Sequence, residues 1–186
     1  MILNIRGTSG SGKSYVVYQA LRKYGYEYLK YEGKIIGTKI GPIATVGKYD
    51  PERFCGGCDT VKKTEEKNTQ EIVCDIIRIL WEEKMEIILF EGLITSGIFG
   101  RFHELDKQVG GIVWGFLDTP IEVCIERTKQ RSLVSGKGYI NEEHVINKFK
   151  QVQSARKNAI SHGLNVVDID YKRSVAEVSK ILGVEI

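Results

Sequence analysis

The sequence lacks the features that mark membrane and secreted proteins. No apolar run approaches the ~18 residues that a helix needs to span a bilayer. The segment before the first glycine-rich motif, Met1 to Arg6, is too short for a signal peptide. The four cysteines fit a reducing compartment. These features predict a cytoplasmic protein with no membrane segment.

The sequence also lacks a strong excess of charge of either sign. It has 27 basic and 24 acidic residues, a net charge of +3, which permits a polyanionic partner without indicating one. A hydrophobic content of 42% and a charged content of 27% are ordinary for a globular protein. A chain of 186 residues is long enough to bury about two-thirds of its unfolded surface in one core. We therefore expect a single domain over residues 1–186.

Short apolar strands alternate with amphipathic helices along the chain. The continuous apolar runs at 87–90 and 112–117 are typical of parallel strands that are covered on both faces. Turn residues at Glu32-Gly33 and Gly41-Pro42 predict a β-hairpin between Tyr26 and Tyr49. The alternation predicts a three-layer α/β fold, with a mainly parallel five-stranded sheet, helices on both faces and a β-hairpin insertion.

A glycine-rich motif follows the first strand and precedes a helix. It consists of Gly7, Thr8, Ser9, Gly10, Ser11, Gly12, Lys13 and Ser14. The order matches G-x-x-x-x-G-K-[ST], whose backbone N–H groups cradle the phosphates of a nucleoside triphosphate. Lys13 is expected to reach the β and γ phosphates, and the Ser14 hydroxyl to bind Mg²⁺. The motif predicts a P-loop NTPase fold that binds ATP and Mg²⁺.

A single carboxylate, Glu91, stands at the end of the apolar run 87–90. Ligand-binding groups of open parallel sheets lie at this end of the strands. We therefore assign Glu91 to the magnesium site, through a water molecule, or to positioning of the substrate. The segment Asn147 to Lys150 lacks the acid of a GTPase base-reading motif, and Phe90-Glu91-Gly92 lacks the Asp-Glu ending of mechanical ATPases. A GTPase and a mechanical ATPase are therefore not expected.

Two arginines follow the strand that ends in an Asp-Thr-Pro turn. Arg127 and Arg131 are four residues apart on a predicted helix, so both guanidinium groups can face the transferring phosphates. This arrangement resembles the lid region of small P-loop kinases that act on nucleosides and nucleotides. The resemblance implies a lid over about 127–140, in which these arginines neutralise transition-state charge and the glycine-rich run around Lys137 moves.

Kinase chemistry needs a carboxylate near the acceptor hydroxyl. Asp50 follows the second core strand, a position that resembles where hydroxyl-directed small P-loop kinases place their base. Asp59 follows a cysteine-glycine turn that can bring backbone close to a substrate. Either residue could instead cap the long loop 50–69, which we interpret as the substrate loop. Asp50 and Asp59 both stay candidates for the base, and Glu91 is the next candidate.

Five segments resemble a group of bacteriophage-encoded P-loop kinases. They are Arg6-Gly7-Thr8, Val46-Gly47-Lys48-Tyr49, Cys55-Gly56-Gly57-Cys58-Asp59-Thr60, Leu89-Phe90-Glu91-Gly92-Leu93 and Phe116-Leu117-Asp118-Thr119-Pro120. Kinases of this kind include enzymes that phosphorylate the hydroxymethyl group of 5-hydroxymethyluracil already incorporated in DNA. The resemblance implies that acceptor and a location in the host cytoplasm.

Two alternatives stay open at this point. One is a kinase of free nucleosides or deoxynucleoside monophosphates, and the other is a nucleotide-binding regulator without transferase activity. Basic residues that could flank a DNA backbone, or form an ordinary solvated face, are Lys34, Lys39, Lys48, Lys148, Lys150, Arg156 and Lys157. The sequence does not fix the oligomeric state.

Overall fold

The fold is built on one seven-stranded sheet. The computed structural model describes residues 1–51, 56–134 and 140–186, so the predictions for Cys55 and Lys137 lie outside the described residues. In spatial order the strands are β2 (Glu27–Tyr31), β3 (Lys34–Ile40), β4 (Ile43–Val46), β5 (Ile87–Glu91), β1 (Ile2–Arg6), β6 (Val113–Leu117) and β7 (Val166–Ile169).

Five of these strands run parallel, in the order β4, β5, β1, β6 and β7. The predicted hairpin consists of β2 and β3, and β3 pairs antiparallel with β4. The hairpin therefore extends the same sheet through backbone hydrogen bonds. The prediction of a five-stranded sheet is wrong, because the two hairpin strands belong to the sheet and bring it to seven.

Helices connect the strands, and a local capping box starts one of them. Within the described residues they are α1 (Lys13–Tyr24), α2 (Thr69–Glu82), α3 (Leu93–Ser96), α4 (Gly100–Gln108), α5 (Ile121–Val134), α6 (Glu142–Ser161) and α7 (Ser174–Leu182), with a short 3-10 helix at Cys58–Thr60. At the start of α2, the Asn68 side chain accepts from Glu71 N, and the Glu71 side chain accepts from Asn68 N. None of these helices is long and apolar enough to cross a membrane.

Helices cover both faces of the sheet, as the three-layer prediction requires. On one face, here called the α2 face, apolar residues of the sheet pack with α2, α4 and α6. On the opposite face they pack with α1 and α7. Every residue of β1 and β5 is buried, because both strands lie inside the sheet and are covered twice.

Arg6, the last residue of β1, is fully buried on the α2 face. Its guanidinium lies 4.0 Å from the centre of the Trp114 ring. It donates to Ile98 O at 2.8 Å and Ser96 O at 3.2 Å. With its side-chain oxygen oriented toward Arg6, Asn4 accepts hydrogen bonds from Arg6 Nε and Arg6 Nη2, each at 2.8 Å. Burial lowers the pKa of Arg6 to about 9, so the group stays charged at neutral pH.

Arg6→Ala is expected to lower the free energy of unfolding by about 3–5 kcal/mol. The change leaves buried carbonyl oxygens without donors and opens a cavity beside Trp114. Urea denaturation gives the measurement. Arg101→Ala is the control, because Arg101 forms a partly exposed ion pair with Glu71 and should cost about 1 kcal/mol or less. Equal losses in both variants would contradict the role of Arg6.

Candidate active site

Residues 7–14 form a tight loop between β1 and α1. Gly10 and Gly12 have φ values of 77° and 104°, a region that favours glycine. A Cβ at Gly10 would lie 2.3 Å from Cys124 O, so this position also lacks room for a side chain. Helix α1 begins at Lys13, and no side chain of the described residues caps its first N–H groups. These groups have no partner within the helix and suit a phosphate.

Neighbouring elements hold the phosphate loop in place. Thr119 Oγ1, between β6 and α5, donates to Ser11 O at 2.8 Å. Thr8 Oγ1 donates to Val145 O on α6 at 3.1 Å. The Ser11 hydroxyl is buried and has no hydrogen-bond partner among the described residues. Leaving such a group unpaired costs about 1–3 kcal/mol, which a phosphate oxygen could offset by accepting its hydrogen bond. The loop therefore fits a phosphate group.

Lys13 folds its side chain over this loop. Its Nζ donates to Gly7 O at 2.9 Å and to Thr8 O at 3.0 Å. Burial lowers the pKa of Lys13, while the nearby carboxylates of Glu91 and Asp59 raise it. The ammonium is thus fixed at the loop with two carboxylates close by.

Glu91 ends β5 beside the phosphate loop and is buried. Its Oε1 accepts from Ser14 Oγ at 2.9 Å and from Tyr49 OH at 2.7 Å. Burial raises the pKa of Glu91, whereas the charge of Lys13 and the two hydroxyl donors lower it. The structure thus brings together Ser14 and Glu91, the two predicted metal residues.

The Ser14–Glu91 pair has the chemistry of a magnesium site. Mg²⁺ takes oxygen ligands and binds through one or two carboxylates together with substrate phosphates. The pair therefore fits this ion beside the phosphate loop. In residues 1–51, 56–134 and 140–186, no group of three or more His, Cys, Asp or Glu side chains could hold a metal ion.

Tyr49 is a site residue that the sequence analysis missed. It is fully buried, and its ring packs edge-on against Tyr18 with centroids 5.8 Å apart. Burial and the neighbouring Glu91 raise the pKa of Tyr49 well above its usual range, so the hydroxyl stays a donor. Its sequence signals are its place directly before Asp50 and its position at the end of Val46-Gly47-Lys48-Tyr49, one of the five segments of the family resemblance. Its hydroxyl helps fix the orientation of the Glu91 carboxylate.

Loop 56–63 lies directly against Glu91. Gly57 N donates to Lys48 O at 3.0 Å, just past the end of β4. A Cβ at Gly57 would lie 2.6 Å from Tyr49 OH and 2.7 Å from Glu91 O. Only a glycine lets the backbone pass this close, and its φ of 68° also favours glycine. The described part of the predicted substrate loop is therefore packed on the acidic residue of the phosphate site.

The two candidate bases have different surroundings. The carboxylate of Asp59 accepts from Leu93 N at 2.9 Å and Ile94 N at 3.2 Å, so it caps α3. Asp59 is nevertheless close enough to influence the pKa values of Lys13 and Glu91. Asp50 is partly buried and directly follows Tyr49. Both residues stand at the edge of the sheet that holds the phosphate loop.

Both predicted lid arginines are exposed on α5, and Arg127 contacts the phosphate loop. Arg127 Nη1 donates to Gly10 O at 3.3 Å, and its guanidinium carbon lies 5.5 Å from the centre of the Tyr171 ring. After the main effect of burial, the charge of Arg131 contributes to the lowered pKa of Lys13. Residues 135–139 of the predicted lid lie outside the described residues.

Comparison with known proteins points to one kinase family. A family model described as 5-hmdU DNA kinase matches residues 1–166. The 5-hmdU DNA kinase of Pseudomonas phage M6 is 29% identical over 189 residues, which cover 97% of this chain and 96% of that protein. The 5-hmdU DNA kinase 1 of Salmonella phage ViI is 32% identical over 152 residues, which cover 80% of this chain and 66% of that protein.

Solved structures agree with the fold. A gluconokinase from Sinorhizobium meliloti 1021 has a TM-score of 0.52 at 15% identity, covering 97% of this chain and 88% of that one. This likeness shows the fold. The family match and the named relatives make the protein a P-loop phosphotransferase. The chain belongs to the 5-hmdU DNA kinase family.

Proposed function

We propose that the protein transfers the γ-phosphate of ATP to the hydroxymethyl group of 5-hydroxymethyluracil in DNA. One observation carries the proposal: loop 56–63 packs directly on the Ser14–Glu91 pair, in a chain of a DNA kinase family. Because the named relatives are phage proteins, we also propose that the enzyme works in the cytoplasm of an infected cell.

Mg-ATP is the phosphate donor that suits the site. The N–H groups at the start of α1 and the Ser11 hydroxyl would bind phosphate oxygens. The Lys13 ammonium would stabilise the charge that develops on the γ-phosphate. Ser14 would hold Mg²⁺, with Glu91 acting directly or through water, and the ion would neutralise phosphate charge.

Asp50 is the base that the surroundings favour. Both oxygens of the Asp59 carboxylate already accept hydrogen bonds from backbone N–H groups of α3. These bonds hold the Asp59 carboxylate against the start of α3, where it serves as a helix cap. Asp50 directly follows Tyr49, whose hydroxyl donates to the Glu91 carboxylate beside the phosphate loop. We therefore propose that Asp50 orients and deprotonates the acceptor, while Asp59 shapes loop 56–63.

Arg127→Ala and Arg131→Ala are expected to lower kcat more than they weaken ATP binding. A lid arginine acts mainly on charge that develops in the transition state. The measurement compares kcat with the Kd for ATP in each variant. Lys129→Ala is a matched control on the same helix, because Lys129 pairs with Glu142 at 2.9 Å instead of facing the phosphate loop. If both arginine variants change only the Kd, the arginines bind the ground state.

The proposed function is tested with γ-labelled ATP and four parallel acceptors. These are duplex DNA containing 5-hydroxymethyluracil, the same duplex containing thymine, the free 5-hydroxymethyldeoxyuridine nucleoside and its monophosphate. We expect label in the modified duplex alone. Label in the nucleoside or the monophosphate, with none in DNA, would overturn the proposal in favour of a nucleoside or nucleotide kinase.

A further inference from the structure

The β2–β3 hairpin projects beyond the sheet at the edge that holds the active site. Gly37 of β3 lies opposite Val46, the last residue of β4. The hairpin residues 30–35 therefore continue past β4, toward the side where loop 56–63 lies. Lys34 is three residues beyond Gly37, a distance of about 10 Å along a strand. The hairpin tip thus stands beside the acceptor side of the active site.

A β-bulge determines which tip residues face loop 56–63. The pairing shifts between Leu29 and Lys30, which leaves Ile36 as an extra residue on β3. Leu29 and Ile36 both pack against the apolar cluster of the α2 face. The same cluster includes the start of loop 56–63. Because side chains alternate along a strand, Tyr31 and Lys34, two residues farther out, lie on that same face.

The side chains on this extension have the chemistry that recognises nucleic acid. Tyr31 is 43% exposed, and its cross-strand partner Lys34 is exposed. Two more exposed lysines, Lys62 and Lys63, follow Val61 in loop 56–63. An exposed aromatic ring can stack on a base, and lysines bind the phosphate backbone. With Glu32 at the turn, residues 30–34 still carry a net positive charge.

We infer that the hairpin tip is a DNA-contacting surface of this enzyme. Tyr31 stacks on a base beside the acceptor nucleotide, and Lys34, with Lys62 and Lys63, binds the phosphate backbone. Where the acceptor nucleotide is taken out of the stack to reach the active site, the neighbouring base faces become available for such a contact. The inference rests on the proposed function, because it takes DNA as the acceptor.

Lys39 provides a matched control on the same hairpin. It is exposed, like Lys34, and lies on the same strand. It pairs with Glu27 at 3.3 Å and lies opposite Ala44, near the start of β4. Five residues, or about 16 Å, separate it from Lys34 in the direction away from the active site.

The test measures binding of the full chain to a fluorescein-labelled duplex that contains 5-hydroxymethyluracil, by anisotropy at several salt concentrations. Tyr31→Ala is expected to weaken binding about 5- to 100-fold, whereas Tyr31→Phe keeps the stacking ring and binds like the unmodified protein. Lys34→Ala should reduce the salt slope by about one. Lys39→Ala should match the unmodified protein. The Kd for ATP and the melting temperature should stay constant throughout.

The outcomes separate this inference from the proposed function. If Tyr31→Ala and Lys34→Ala bind the duplex as tightly as Lys39→Ala does, the inference that the hairpin tip contacts DNA is wrong, whether or not the duplex becomes phosphorylated. If the unmodified protein fails to phosphorylate the duplex but the two tip variants still bind DNA more weakly, the proposed function is wrong. The inference that the hairpin tip contacts DNA is then supported.

Discussion

Lys13→Ala is expected to reduce kcat for phosphoryl transfer by about 10²- to 10³-fold, the usual loss when one donor to developing charge is removed. The ammonium is buried and bonded to Gly7 O and Thr8 O, so it is already in place when the γ-phosphate binds. A positive charge held in this way needs no reorganisation as negative charge develops. The fold should survive, because alanine has the highest helix propensity and Lys13 begins α1.

The measurement is the single-turnover rate at saturating ATP, together with the melting temperature. Lys23→Ala is the control in the last turn of the same helix, because Lys23 forms a surface ion pair with Glu185 at 3.0 Å and its ammonium lies 5.6 Å from the centre of the Tyr24 ring. It should keep the rate of the unmodified protein. If Lys13→Ala also kept that rate, the assignment of residues 7–14 as a catalytic phosphate loop would be wrong.

The phosphate loop was predictable because its signals are local. The glycines with positive φ, the start of α1 and the position of Lys13 all follow from eight consecutive residues. The same holds for the start of α2, where Asn68 and Glu71 form the capping box that their spacing predicts. In each case the residues that interact are within a few positions of one another, so a sequence pattern can register the contact.

Contacts between distant residues escaped the sequence analysis. Tyr49 and Glu91 are 42 positions apart and meet only because β4 and β5 are neighbours in the sheet. Arg6 was treated as the end of a strand, yet it is fully buried between aromatic rings and carbonyl groups of a later segment. Neither residue belongs to a local pattern that indicates its partner. The order of the strands decides both contacts.

The pairing of the hairpin with the rest of the sheet was also not predicted. Turn residues correctly predicted two strands, but not that β3 would bond to β4 and bring the tip to the active-site edge. The bulge at Ile36, which sets the face of Tyr31 and Lys34, lies next to Gly37, and the sequence analysis did not use this glycine as a bulge signal. Distinguishing Lys34 from Lys39 as a DNA contact therefore required the pairing register.

Asp50→Asn is expected to slow phosphoryl transfer by about 10²- to 10⁴-fold, the usual range for loss of a general base. Asparagine keeps the shape of the side chain but cannot accept the proton of the acceptor hydroxyl. ATP binding should barely change, because Asp50 lies outside the phosphate loop of residues 7–14. The rate is measured in a single turnover at saturating ATP with DNA containing 5-hydroxymethyluracil.

Asp59→Asn is the matched variant, and its expected result differs. Its carboxylate caps α3 through Leu93 N and Ile94 N, and asparagine also caps helices well. The change should therefore cost a few tenths of a kcal/mol of stability and leave the rate within about threefold of the unmodified protein. A large loss in Asp59→Asn with none in Asp50→Asn would exchange the two roles. If both variants kept normal rates, Glu91 would be the next candidate, or the loose transition state of phosphoryl transfer would need no strong base.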